Sequence, residues 1–165
     1  MTQTSEEDMT GLLHRRYSGR NQAGLPRYIA ASQVLMASPG KGIRRADFIA
    51  LDSQTEEVWN ENKDMFDRHR PPVHGFEIKV SRTDWLSEHR TAGKKSELWR
   101  SYCNYWWLVV PNPNMVKPEE LPEGWGLLAG VKRLRAVIKP ARVDARPLDA
   151  ELVLMIARYS QRRKK

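Results

Sequence analysis

Asp47, Glu77 and Lys79 are the side chains in this sequence whose types and spacing point to chemistry. Glu77 and Lys79 sit two apart in Gly75-Phe76-Glu77-Ile78-Lys79-Val80-Ser81-Arg82, where Phe76, Ile78 and Val80 alternate with Glu77, Lys79 and Ser81. That is the period of a β-strand, which turns successive side chains to opposite faces. Carboxylate and ammonium therefore leave the strand on one face. Asp47 lies near the start of an upstream apolar stretch, Ala46-Asp47-Phe48-Ile49-Ala50-Leu51. Charges embedded in apolar strands are costly unless they are paired or hold a metal. Two hard oxygen donors beside a lysine suit a Mg²⁺ ion next to a phosphodiester. Such an ion keeps several waters, and the ammonium meets the phosphate or the attacking water.

The elements that must position these groups follow from the pattern on either side. Met9, Leu12, Leu13 and Tyr17 recur at helical spacing and predict an amphipathic helix near 6–17. Glu6, Glu7 and Asp8 then read as first-turn charges complementing the helix dipole, although they are also the acids nearest to hand for a third metal ligand. Residues 28–36 fit helix or strand, bounded by Pro26 and by Pro39-Gly40. Lys41, Arg44 and Arg45 follow in a glycine-loosened loop, without the lysine–hydroxyl ending of a nucleotide P-loop. From Asp52 to Pro72 the chain is polar and predicts an exposed excursion with one helical turn. His69 and His74 flank Pro71-Pro72, but without a third His or a Cys nearby they read as surface histidines rather than zinc ligands.

Downstream, Ser81 and Asp84 have the spacing of a helix cap, and Trp85 and Leu86 begin the apolar side of that helix. Lys94 to Tyr102 predicts a second helix. Trp106-Trp107-Leu108-Val109-Val110 is a nearly unbroken apolar run closed by Pro111, the pattern of a strand buried on both faces. Its place after helical segments predicts a crossover and a parallel pairing with the Glu77 strand. Residues 125–129 and 134–138 read as an edge hairpin, and Leu148, Leu152, Met155, Ile156 and Tyr159 as a final amphipathic helix running into a basic tail.

With 165 residues the chain is expected to be one domain, with a polar start (1–8) and a basic helix and tail (148–165). Its 28 Lys and Arg against 20 Asp and Glu leave a net charge of +8, so an acidic partner is expected, nucleic acid before membrane surface. The single Cys103 excludes an intrachain disulfide and a cysteine-rich zinc module. No apolar run approaches the about 18 residues that span a bilayer, and the acidic start is unlike a signal peptide. The expectation is a soluble, cytoplasmic protein without membrane contact.

An isolated Glu-x-Lys is a weak motif, but its surroundings are more specific. An acid in an apolar strand, then Glu77-Ile78-Lys79 in the next strand, Asp84-Trp85, a lysine-rich helix, Tyr102-Cys103-Asn104 and a buried strand ending Leu108-Val109-Val110-Pro111 follow one another. This order, over about residues 40–130, resembles the PD-(D/E)xK nuclease superfamily, and within it small bacteriophage proteins and MmcB-like DNA repair proteins. Ala46 stands where the family signature has proline. The resemblance implies an α/β, restriction-endonuclease-like fold, a mixed sheet flanked by helices. It makes Asp47 and Glu77 the metal ligands, Lys79 the residue that orients or activates the water, and Mg²⁺ the cofactor, with Mn²⁺ as substitute. The implied activity is a deoxyribonuclease, an endonuclease first, in DNA repair, recombination or processing. DNA is then the partner, a homodimer an admissible assembly, and Lys41, Arg44, Arg45 and Arg82, with Lys94, Lys95, Arg162 and Arg163, the phosphate contacts. Asp52 faces away from Asp47 in a regular strand, and no additional helix-borne acid is identified. Two other readings stand beside it: a non-catalytic nucleic-acid-binding or adaptor protein on the same fold, and an interaction protein in which Glu77 and Lys79 are an ordinary ion pair.

Overall fold

The apolar stretches around residues 48, 76 and 107 become three adjacent strands at the centre of one mixed sheet. A computed structural model describes residues 3–55, 57–60, 62, 65–68, 71–91 and 94–162, with backbone alone at 57–60 and 65–68. The order along the chain is α1 (Glu6–Arg16), β1 (Tyr28–Ser38), β2 (Gly42–Asp52), β3 (Glu57–Asn60), β4 (Met65–Arg68), β5 (Val73–Ile78), α2 (Arg82–Arg90), α3 (Glu97–Arg100), β6 (Tyr105–Val110), β7 (Gly126–Ala129), β8 (Arg135–Ile138) and α4 (Ala150–Gln161). Six strands form the sheet in the order β1-β2-β5-β6-β7-β8. β5, β6 and β7 run parallel to one another, while β1, β2 and β5 pair antiparallel, as do β7 and β8. The chain is thus a single α/β domain with a mixed sheet and helices on both faces.

Alternation along the strands sorts the core into two layers. Phe48, Phe76, Trp107, Val109 and Leu128 pack with Met9, Leu12, Leu13 and Tyr17 of α1. On the other face Ile49, Trp106, Leu108 and Leu127 pack with Trp85 of α2, Trp99 of α3, and Leu152 and Ile156 of α4. β6 is buried on both faces and pairs parallel with β5, as its apolar run and late arrival predict.

Residues 28–38 take the strand form of the two their pattern allows, because their apolar groups serve the sheet and not a stripe. Several other local expectations change. Arg44 and Arg45 lie within β2, and only Lys41 occupies the turn, whose tight reversal is carried by left-handed Gly40 (φ 75°). The polar excursion is a separate two-stranded ribbon of β3 and β4 and not a helical turn. The helix expected over 94–102 contracts to α3. His69 and Gly93 lie outside the described residues.

The paired tryptophans of β6 demand two glycines. Trp106 lies opposite Gly75 of β5, and Trp107 opposite Gly126 of β7. A Cβ on Gly75 would collide with the Trp106 ring and stand 2.8 Å from Cys103 Sγ. Gly75→Ala is therefore expected to cost about 1–3 kcal/mol by overpacking. Gly11→Ala, whose Cβ meets nothing within 4 Å, should be neutral or slightly stabilising. Urea unfolding of the two variants checks this, and equal stability would show that the tryptophans repack freely.

Candidate active site

β2 and β5 stay paired from Leu51↔Val73 to Phe48↔Phe76 and then part. Beyond that point β5 belongs to β6: Glu77 and Ile78 register with Leu108 and Val109, and the Lys79 amide donates to the Val109 carbonyl at 3.0 Å. The Ile78 amide donates instead to Asp47 Oδ2 at 2.8 Å. A side-chain carboxylate thus replaces the ladder where the strands diverge. On its other side Asp47 lies opposite Gln33, whose φ of 53° is the one left-handed non-glycine conformation among the described residues. Ala46 and Ile49, three apart, share a core layer, as do Ala31 and Val34 of β1. Strict alternation would separate such residues, so both strands change face at this point. The fault sets Asp47 at the mouth of the divergence.

Glu77 and Lys79 leave β5 together, and Lys79 Nζ is 2.8 Å from Glu77 Oε1. Both are largely covered, with side chains 13% and 17% exposed. The shared face expected from their spacing is therefore present. Glu88 of α2 joins them, with its Oε2 3.7 Å from Lys79 Nζ. Its Oε1 is buried and has no hydrogen-bond partner among the described residues. Arg45, Glu6 and Gln33 close the cluster from outside. Arg45 is 3.0 Å from Asp47 Oδ1 and 3.5 Å from Glu6 Oε1, and Gln33 Nε2 donates to that same Glu6 oxygen at 3.0 Å.

Crowded acids with few cations hold their protons more tightly than free ones. Burial pushes the Asp47 carboxyl up, and neighbouring Glu6 adds to this against the Ile78 amide, Arg45 and Lys79. Burial also drives Glu77 up to about 7, helped by the charges of Asp47 and Glu88 and opposed by Lys79. For Lys79, burial disfavours the ammonium, but Glu77, Glu88 and Asp47 outweigh it, so the group stays protonated with a raised pKa.

Among the described residues no three His, Cys, Asp or Glu side chains are arranged to hold a metal ion. The donor set is narrower: Asp47 and Glu77, with Glu88 behind Lys79. It fits Mg²⁺ in kind, since that ion usually takes one or two carboxylates and keeps its waters. Burial is the main cause of the elevated Glu77 pKa, and the charges of Asp47 and Glu88 that add to it are what a dication would relieve.

The structure brings Asp47, Glu77 and Lys79 together and adds Glu6 and Glu88. Glu6 is a first-turn acid of α1, as its position predicts, and it also reaches the cluster, while Ser5 and Asp8 cap the helix reciprocally. Glu88 went unassigned, yet it stands three residues after Trp85 on the buried stripe of α2, and an acid in an apolar stripe is the signal that marks it. Asp52 lies away from the cluster, in a fork with Arg27 at 2.7 and 3.0 Å. His74 Nδ1 accepts from Trp107 Nε1 at 3.2 Å, and its pairing with His69 lies outside the described residues.

The basic residues divide. Lys41, Lys94, Lys95 and Arg162 are exposed, and Arg44 is half-buried on the β1–β2 hairpin. Arg45 is tied to Asp47 and Glu6 as above. Arg82 is a structural tie, forked onto Glu120 and donating to the Met115 carbonyl at 2.7 Å. Arg163 lies outside the described residues.

No protein-family model matches the chain, and no curated protein matches it. Among solved structures, a Silicibacter pomeroyi protein of unknown function, SPO1766, is similar over 82% of this chain and 73% of its own, at 17% identity and a TM-score of 0.49. No helix among the described residues is long and apolar enough to cross a membrane.

The raised Glu77 pKa has a consequence for folding. Its folded value, about 7, lies above the ordinary 4.5, so the folded state holds the proton more tightly than the unfolded chain. The contribution is complete below about pH 4.5 and is lost as pH rises through 7. Glu77→Gln should flatten that decline, which for the wild type amounts to the order of 3 kcal/mol. Chemical denaturation across pH 4–8 measures it, and parallel curves for the two proteins would place Glu77 in an ordinary environment.

Proposed function

We propose that the chain is a divalent-metal-dependent nuclease that hydrolyses DNA phosphodiesters, of the PD-(D/E)xK kind its motif order resembles. The observation that carries the reading is the meeting of Asp47, Glu77 and Lys79 where β2 and β5 part. Asp47 and Glu77 would hold Mg²⁺, which supplies charge neutralisation at the phosphate and a bound water of lowered pKa. Lys79, protonated and set between Glu77 and Glu88, would supply a fixed positive charge to the pentacoordinate phosphorane-like transition state as negative charge builds on its oxygens. Arg45 lies over the outer side of Asp47 and screens it from the approaching backbone phosphates. Lys41 and Arg44 on the β1–β2 hairpin, with Lys94 and Lys95, supply phosphate attraction without base reading.

A second reading, a nucleic-acid-binding protein without turnover, has its own support. Asp47 is already satisfied by Arg45 and the Ile78 amide, and Glu77 by Lys79. Such a network is stable without a metal, and Lys79 would then serve the fold.

The two readings part at Lys79→Met, which keeps the stem and removes the charge. On the nuclease reading this variant binds DNA within a few fold of wild type, and single-turnover cleavage falls at least about a hundredfold. Mn²⁺ titration calorimetry should show binding to wild type and Lys79→Met and loss of it in Asp47→Asn and Glu77→Gln. An active Lys79→Met enzyme would end the mechanism, and a wild type inactive on every DNA tested with Mg²⁺ or Mn²⁺ favours the binding protein.

Phosphate contact has a separate signature. Lys41→Ala and Arg44→Ala should each lower the log–log salt slope of duplex binding by about 0.9 and weaken all sequences alike. Unchanged slopes would show that the hairpin does not touch the backbone.

A further inference from the structure

At the opposite end of β5 from Glu77, the starts of β1, β5 and β6, the end of α1 and the β7–β8 loop enclose a cavity of about 750 Å³. Its wall holds Arg15, Arg16, Arg27, Lys132 and Arg133, and Asp52 is the only acid among the described residues lining it. Asp52 is already held by the Arg27 fork. Arg15 and Arg16 lie in the last turn of α1 and balance its carbonyl end. Lys132 and Arg133 have no such explanation. They come from a different element, are exposed, and have no carboxylate partner among the described residues. Their loop is sterically fixed: Gly130 adopts φ 145°, and a Cβ there would collide with the Arg133 carbonyl. Arg16 pins the same loop by donating to the Leu134 carbonyl at 3.1 Å.

The remaining wall is aromatic. Half-buried Tyr28 carries the Arg27 guanidinium 4.9 Å from its ring centre. Half-buried Tyr105 stacks on His74 with centroids 4.8 Å apart. A concave, uncompensated positive field selects an anion. Flat π-faces and guanidinium planes beside it select a planar ring. The volume lies in the range of small-molecule sites.

We propose that this cavity binds a nucleotide, with its phosphate at Lys132 and Arg133 and its base against the Tyr28–Tyr105 wall. The ligand is a free nucleoside phosphate or the phosphorylated end of a single strand, which present the same chemistry. The site uses none of the Asp47–Glu77–Lys79 cluster and stands whether or not that cluster cleaves DNA.

The test is calorimetry on the full chain in EDTA with four probes: dAMP, deoxyadenosine, inorganic phosphate, and a dT tetranucleotide with or without a 5′-phosphate. Wild type is expected to bind dAMP at least tenfold more tightly than deoxyadenosine or phosphate. Lys132→Ala/Arg133→Ala should weaken it at least tenfold, and Tyr28→Leu severalfold. Lys117→Ala/Lys139→Ala, which removes the same charge elsewhere on the surface, should leave it unchanged. Tighter binding of the phosphorylated tetranucleotide than of dAMP identifies a strand end, and the reverse a free nucleotide; either supports the site. The proposal is overturned if wild type shows no saturable binding of dAMP or tetranucleotide, or if phosphate alone binds as tightly as dAMP. It is equally overturned if Asp47→Asn rather than the loop variant abolishes binding.

Discussion

One hydrogen bond organises the centre of this protein: the Ile78 amide donating to Asp47 Oδ2 at 2.8 Å. It sits where the β2–β5 ladder ends and where β5 continues only with β6. A backbone donor left without a carbonyl at such a point carries a desolvation cost of about 1–3 kcal/mol. The carboxylate removes that cost and is itself held in place, buried, beside Glu77. Replacing Asp47 by an apolar residue would therefore affect the sheet as well as the cluster, whereas Asn keeps an acceptor there. Position and chemistry are coupled in one side chain.

The cluster around that bond is short of positive charge. Asp47, Glu77 and Glu88 face Lys79, with Arg45 reaching only Asp47 and Glu6 from the half-exposed rim. Burial itself disfavours the Glu77 carboxylate, and with the nearby acids it lifts the group to about 7, while the same acids outweigh burial at Lys79 and keep it an ammonium. Glu88 Oε1, buried and without a hydrogen-bond partner among the described residues, is a further sign of the imbalance. At the far end of the sheet the imbalance is reversed, and cations outnumber Asp52 around the aromatic cavity. The two ends of β5 thus carry opposite local imbalances, acidic at the Asp47–Glu77 cluster and basic at the cavity.

Rigidity between those ends comes from β6. Trp106 and Trp107 feed opposite core layers, and each lies over a glycine of the neighbouring strand. Large rings against bare backbone leave little freedom for the parallel strands to slide. Trp99 extends the bracing to the hairpin, since its Nε1 donates to the Arg44 carbonyl at 3.1 Å.

Much of this was legible in residue order. Alternation around Glu77 placed Glu77 and Lys79 on one face, the apolar run 106–110 announced a strand covered on both sides, and the late apolar stripe marked α4. These signals are local, because strand and helix periods act over a few residues. The β3–β4 ribbon was not legible, since its short polar strands lack a periodic apolar face. The roles of Glu88 and Arg45 were also hidden. Each is a charged residue on its own element, and nothing in local sequence says which distant acid or lysine it will meet. The divergence of β2 from β5 decided that. It arises when β5 exchanges one neighbour for another, a choice made by the packing of α1, α2 and the β6 tryptophans together. The basic cavity has the same origin: Arg15, Arg27 and Arg133 are far apart along the chain, and only the sheet brings them to one wall.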